Sequence, residues 1–300
     1  MIQTSKMNAA RRLKEKAIEL FFTANGFFSI VLLLGIFILL FVQAWPALKS
    51  IPLIEFFGVR WDPTSFVKPS YGMLSLIVST LMVSFGAMVI AVPIGIATAA
   101  FLAEVASHQI REIVKPVIEI LAGIPSVVIG FLGIVVLGPK LARLFGISNG
   151  LNALNGSILL AVMSLPTIIS ISEDAIVSVP QELKNASLAL GATRWQTLVH
   201  VTIPSALSGI IAAVMLGMGR AIGETMTVLM ACGNSLAMPT SYLDAVRTMT
   251  ATIAIELGEA VQGSTHVSSL YLIAFVLFLM TFCFNMISDR VLRKYQQRPS

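Results

Sequence analysis

Charged side chains are scarce in this sequence: Asp, Glu, Lys and Arg make up 12% of its 300 residues against 56% hydrophobic, and mean hydropathy is +0.89. So little charge cannot cover a soluble domain of this length, and the chain reads as an integral membrane protein. Only two cysteines occur, Cys232 and Cys283, both in or beside apolar segments, so no disulfide framework is implied. The three histidines, His108, His200 and His266, are scattered without ligand spacing, and no metal site is expected. Neither a G-x-S-x-G elbow nor a G-x-x-x-x-G-K-S/T loop is present, which removes the usual signatures of a hydrolase nucleophile and of an ATP site. There is no internal repeat and no low-complexity tract.

What the sequence does have is long uncharged runs separated by short charged ones. Residues 1–26 form a basic N-terminal segment with Lys6, Arg11, Arg12, Lys14 and Lys16, and residues 27–48 an uncleaved first membrane helix. Residues 49–70, with Pro52, Pro63 and Pro69, suit an external loop whose Trp61 and neighbouring Tyr71 lie at the membrane interface. Residues 71–290 hold five further spans, placed at 69–103, 120–137, 157 to 171 and beyond, 207–230 and 268–288, and residues 291–300 form a tail. The stretch 233–266 permits a short interfacial or re-entrant helix but no additional span. The expected fold is therefore all-α and integral to the membrane, with six transmembrane helices. On this topology thirteen of the twenty basic residues face the cytoplasm and six face outward, with Arg220 inside a span, so both termini are expected in the cytoplasm. The net charge of +5 follows from that bias and calls for no nucleic acid.

The most polar internal segment, residues 180–204, joins the fourth and fifth spans. Pro180 suits a helix start, where its missing N–H is no loss, and Gly191 suits a left-handed helix end. Pro204 then opens the next helix. Two short helices at a sharp angle between apolar spans make a knob that fits a cleft in a soluble partner. The spacing Asn185, Ala186, Ser187, Gly191, Val201, Ile203, Pro204 resembles the cytoplasmic coupling loop of ABC-importer permeases, with Asn185 where that family usually has Glu and Glu182 one turn away.

Inside the fifth span, Arg220 and Glu224 are four residues apart, on one face if the helix is continuous. An Arg at a helix centre costs about 3 kcal/mol on insertion scales, so it needs a bundle interior, a wet cavity or a partner. A structural ion pair and an anion pathway both satisfy that need. Gly217, Gly219 and Gly223 leave room for close neighbours or a ligand.

The segments LAGIPSVVIGFLG (121–133), SLALGATRWQTL (187–198), GRAIGETM (219–226), TIAIELGE (252–259) and LFLMTFCFN (277–285) are together similar to the PstC-type permeases of bacterial phosphate importers. The resemblance implies a type I ABC-importer permease fold with a cytoplasmic coupling-helix loop, and a hetero-dimer with a paralogous PstA-type permease. It further implies two copies of a separate ABC ATPase that uses the ATP, an external phosphate-binding protein, and no cofactor bound by this chain. Arg220 and Glu224 match positions where the family carries functional intramembrane charge, and Glu182, Asn185, Ala186, Ser187, Gly191, Ile203 and Pro204 fall in its ATPase-coupling loop. A permease for another oxyanion such as sulfate or molybdate, a stand-alone anion channel or secondary transporter, and the membrane anchor of an enzyme complex are the other readings. An ATPase docked at residues 180–204 separates the importer from the last three.

Overall fold

The structure is a computed structural model that describes residues 9–65 and 67–296. Lys6 and Arg298, counted in the charge bias, lie outside the described residues. Helix α1 (Ala9–Ser50) has 42 residues, about 63 Å at the usual rise per residue, and so exceeds a bilayer core of about 30 Å. The expected span at 27–48 is its second half. A short α2 (Leu53–Phe56) and an antiparallel hairpin follow, β1 (Trp61–Asp62) with β2 (Ser70–Tyr71), pairing Trp61 with Tyr71.

The central layer is α3 (Leu74–Ala100), α7 (Ala153–Val177) and α11 (Leu207–Gly223), packed around Val83, Ala87, Leu160, Met163, Ile168 and Ala221. Small residues permit this closeness: a Cβ on Gly95 of α3 would lie 2.6 Å from Ile168 of α7, so only glycine fits there. Pro93 lies inside α3 without ending it, and Pro166 likewise inside α7. One further turn, Phe101–Val105, continues α3 as π-helix.

Next come an amphipathic α4 (His108–Gly123), then α5 (Ser126–Leu132), a π-turn at Gly133–Leu137 and α6 (Gly138–Phe145). The span is thus 126–145 rather than 120–137. The physical reason is Pro125, which breaks the chain after Ile124 and leaves 120–123 on the amphipathic helix, while Pro139 opens α6 instead of ending a span. Asn155 repairs the backbone cost of the π-turn, donating to the Gly133 carbonyl at 3.0 Å and to the Gly150 carbonyl at 3.1 Å.

The polar loop carries α8 (Gln181–Ala189), α9 (Arg194–Thr197), a π-turn at Leu198–Thr202 and α10 (Ile203–Ser205). Five helices are long and apolar enough to cross a membrane, and the segment Arg194–Ser205 with α11, bent by 68°, makes a sixth if the pair is counted as one span. After α11 come α12 (Met226–Ala231), α13 (Met249–Glu256) and the long α14 (Thr265–Gln296), which packs against α1 through Phe37, Phe41 and Phe275. Helix α13, at 8 residues, is the short helix allowed within 233–266, too short to be a span.

Candidate functional site

Helix α11 ends at Gly223, and Glu224 has extended backbone angles, φ −68° and ψ 133°. The fifth span is therefore interrupted where a continuous helix to residue 230 was expected. Arg220 and Glu224 do not share a helical face, and among the described residues Arg220 has no hydrogen-bond or ion-pair partner. The structural ion pair considered from the sequence is not formed. Each charge sits instead at a helix end that favours it. Arg220 is on the last turn of α11, where free carbonyls attract a cation, and the Glu224 carboxylate accepts from the Thr227 N–H in the first turn of α12 at 3.3 Å.

The start of another span lies against this interruption. The chain breaks at Ile124 and Pro125 between α4 and α5, and the buried Thr227 hydroxyl donates to the Ser126 carbonyl at 3.1 Å. From a third side Thr250 donates to the Glu224 carbonyl at 2.8 Å, so a backbone group freed by the break is satisfied. Interrupted helices at membrane depth are tolerated where protein or a water-filled cavity covers them. Arg220 itself is exposed on this chain, beside Gly219 and Gly223, around which there is open space. The sequence reading missed Thr227 and Thr250; the Gly223-Glu224-Thr225 triplet, a helix stop before a capping residue, is the signal that marks the break.

The loop at 180–204 is built as its turn residues dictate. Pro180 caps α8, and Gly191 has φ +88°. The Gly191 N–H donates to Leu188 and the Ala192 N–H to Ser187, the paired bonds of a Schellman end. Thr193 and Gln196 then form a capping box on α9. Glu182, Asn185 and Ala186 are exposed, Ser187 shares a 3.0 Å hydrogen bond with Thr197, Ile203 packs into the body, and Pro204 is exposed in the first turn of α10. Leu183, Leu188, Leu190 and Trp195 are exposed too, the last two at 90% and 71%.

At the β-hairpin end, Trp61 is 1% exposed, so it lies in a core rather than at a membrane interface. Its indole N–H donates to Glu256 at 2.9 Å, and Arg247 and His266 each approach the same carboxylate to 2.9 Å. Glu256 is the hub of this cap. An open cleft of about 1020 Å³ lies beside it, also lined by Arg60, Asp62 and Glu259. Nearby, Asp244 accepts from the Thr240 N–H and hydroxyl and from the Ser241 N–H, at 2.8, 2.9 and 2.9 Å. These bonds, the Thr240 N–H foremost, hold its carboxyl below the usual carboxylate range.

Comparison with known proteins agrees with this architecture. A probable ABC transporter permease, YqgH of Bacillus subtilis, is 40% identical, covering 91% of this chain and 89% of that protein. The phosphate transport system permease protein PstC of Mesorhizobium japonicum is 36% identical, covering 92% and 89%. Among solved structures, a bacterial alginate ABC transporter chain matches 96% of this chain and 99% of its own length with TM-score 0.63 at 17% identity, a likeness of fold alone. The binding-protein-dependent transport system inner membrane component family matches residues 91–299. This chain therefore belongs to that family, as a multi-pass inner-membrane permease with the type I ABC-importer fold.

Proposed function

We propose that this chain is one permease half of an ATP-driven importer that carries inorganic phosphate across the plasma membrane. The observation that carries the transport role is Arg220, a guanidinium without a partner among the described residues, on the last turn of a helix interrupted within an apolar span. Such a charge belongs beside a hydrated path. Its planar donors suit an oxyanion and keep their charge at any physiological pH. Phosphate is favoured over sulfate or molybdate because relatives 36% identical are phosphate permeases.

The remaining assignments follow from exposed surfaces. Leucines and a tryptophan displayed on a polar loop support docking of a soluble partner at residues 180–204, and two copies of an ABC ATPase are that partner, one on each permease. ATP is then hydrolysed there, while this chain binds no cofactor and performs no chemistry of its own. A PstA-type permease covers the open side of Arg220, and an external phosphate-binding protein delivers the anion at the β-hairpin end. Both termini and the 180–204 loop lie in the cytoplasm, as the charge bias supports.

The test is purification from native membranes, identification of the associated chains, and reconstitution into vesicles. An ATPase should co-purify, and radiolabelled phosphate should enter only with ATP and binding protein, with sulfate and molybdate competing poorly. Phosphate flux without ATP would establish a channel or secondary transporter instead.

A further inference from the structure

Helix α8 has one buried residue, and it is a lysine. Lys184 has a side chain 8% exposed, and its ammonium lies 2.6 Å from the Glu104 carboxylate, in the π-turn that ends α3. The apolar residues of α8 point the other way: Leu183 and Leu188 are exposed, and no residue of this helix joins the apolar cluster formed by Leu102, Ile118, Ile176, Val179 and Ile210 beside it. The neighbouring α4 is attached differently, with Ile118 buried in that cluster as well as Arg111 and Lys115 near Glu173, at 3.1 and 3.4 Å. Among the described residues, the side-chain hydrogen bonds of α8 are the Lys184–Glu104 ion pair and the bond between Ser187 and Thr197.

We infer that Lys184 and Glu104 form the rigid link through which displacement of the coupling helix moves α3, and that they are positioning residues for transport. The inference rests on the coupling role proposed for residues 180–204. A short charge-assisted hydrogen bond fixes distance and direction, which sliding apolar contacts do not. Burying the Lys184 end also argues for a purpose, since taking an ammonium out of water costs free energy that apolar packing of the same volume does not, although Glu104 stays partly exposed. Glu104 sits in a π-turn, a helix defect that concentrates at functional positions. From there α3 runs as one helix to Gly95, which abuts Ile168. The same Ile168 side chain would lie 2.9 Å from a Cβ on Gly217, three residues before Arg220. Pulling on Glu104 therefore shifts an element packed, through one side chain, against the helix that carries the candidate anion charge.

The experiment uses the complete importer in proteoliposomes and reads three quantities: ATPase retained with the permeases, ATP hydrolysed, and phosphate transported per ATP. Lys184→Met keeps the stem and Glu104→Gln keeps the shape. Each should retain the ATPase and hydrolyse ATP while transporting at least tenfold less phosphate per ATP. Lys184→Arg should stay coupled, and the swap Glu104→Lys with Lys184→Glu should recover at least half of the lost ratio, which a merely stabilising contact does not require. A normal ratio in either single variant overturns the inference, as does loss of the ATPase from both or a swap as uncoupled as the singles. If the unmodified permease itself holds no ATPase, the coupling-loop assignment has failed rather than the link. Where Lys184→Met yields no assembled complex, Glu104→Gln and the swap decide the matter on the same readouts.

Discussion

The Thr227 hydroxyl donates to the Ser126 carbonyl at 3.1 Å, tying the start of α12, just after the break at Glu224, to the start of α5, just after the break at Pro125. Thr227 is fully buried, and Met163 sulfur, 3.1 Å away, is the alternative acceptor for the same hydrogen. Thr227→Val keeps the volume and removes this bond, while the Ser126 carbonyl, in the first turn of α5, keeps its helical partner, so the cost is about 1 kcal/mol. The variant should assemble, unfold at a lower temperature, and transport phosphate more slowly. An unchanged melting temperature and flux would show that the two breaks are held together by packing alone.

Gly191 has φ +88°, and nothing stands within 4 Å of where its Cβ would be, so a substitution there is strained by backbone rather than by collision. Valine is poorly tolerated at positive φ, whereas asparagine is the least costly replacement. Gly191→Val should abolish ATPase co-purification from an inserted protein, and Gly191→Asn should reduce it only partly. Equal retention in both would disconnect the turn from docking.

These two sites differ in how far the sequence disclosed them. The turn at Gly191 was legible because its chemistry is local: proline opens a helix, glycine closes it, and the bonds span five residues or fewer. The apolar runs disclosed the number of spans for the same reason. The break after Gly223 was harder to read: Gly223-Glu224-Thr225 marks it locally, but apolar residues continue to Ala231, and what sustains the interruption, Thr250 and Ser126, comes from distant segments. The pairs Lys184 with Glu104 and Trp61 with Glu256 are separated by 80 and 195 residues, so no periodicity could join them.

Glu256 gathers Trp61, Arg247 and His266, and the side chains of Arg247 and Glu256 are 16% and 14% exposed. Neutralising the acid leaves the Arg247 charge with little compensation, at a cost of about 3 kcal/mol for a buried pair. Glu256→Gln should therefore lower the melting temperature of the purified permease and expose Trp61, seen as a red-shifted fluorescence maximum. An unshifted spectrum with normal stability would return Glu256 to the status of a surface acid.

Asp244 braces a turn whose own carbonyl accepts from the Ala153 N–H at the start of α7, at 3.0 Å. Its depressed pKa means that the stabilisation is present above the ordinary carboxylate range and is lost as pH falls through the lower folded value. Asp244→Asn should thus melt below the unmodified protein at neutral pH, and the gap should close only at pH values under the ordinary range near 4. A gap independent of pH would mean that the charge form of Asp244 does not matter.

Arg220 and Glu224 provide the sharpest test of the transport role, because the break in the helix changes what each substitution should do. Were the two paired, removing either would strand the other and lower the yield of folded protein. Unpaired, the Arg220 side chain makes no hydrogen bond or ion pair among the described residues, and Arg220→Ala removes a charge that is costly to hold within an apolar span. The variant should insert and assemble as well as the unmodified protein, yet phosphate uptake should fall to background, since no fixed cation then offsets the dehydrated anion. Arg220→Lys keeps the charge but loses the planar donors, and it should retain partial flux with weaker selection against chloride. Glu224→Gln should act differently. It keeps an oxygen to accept from the Thr227 N–H, so the turn into α12 survives, but the path becomes more positive and releases its anion more slowly. Turnover should fall while assembly stays intact, and the phosphate concentration giving half-maximal uptake should fall as well. Normal uptake by an assembled Arg220→Ala permease would place the anion path elsewhere in the complex and leave Arg220 as a contact for the second permease.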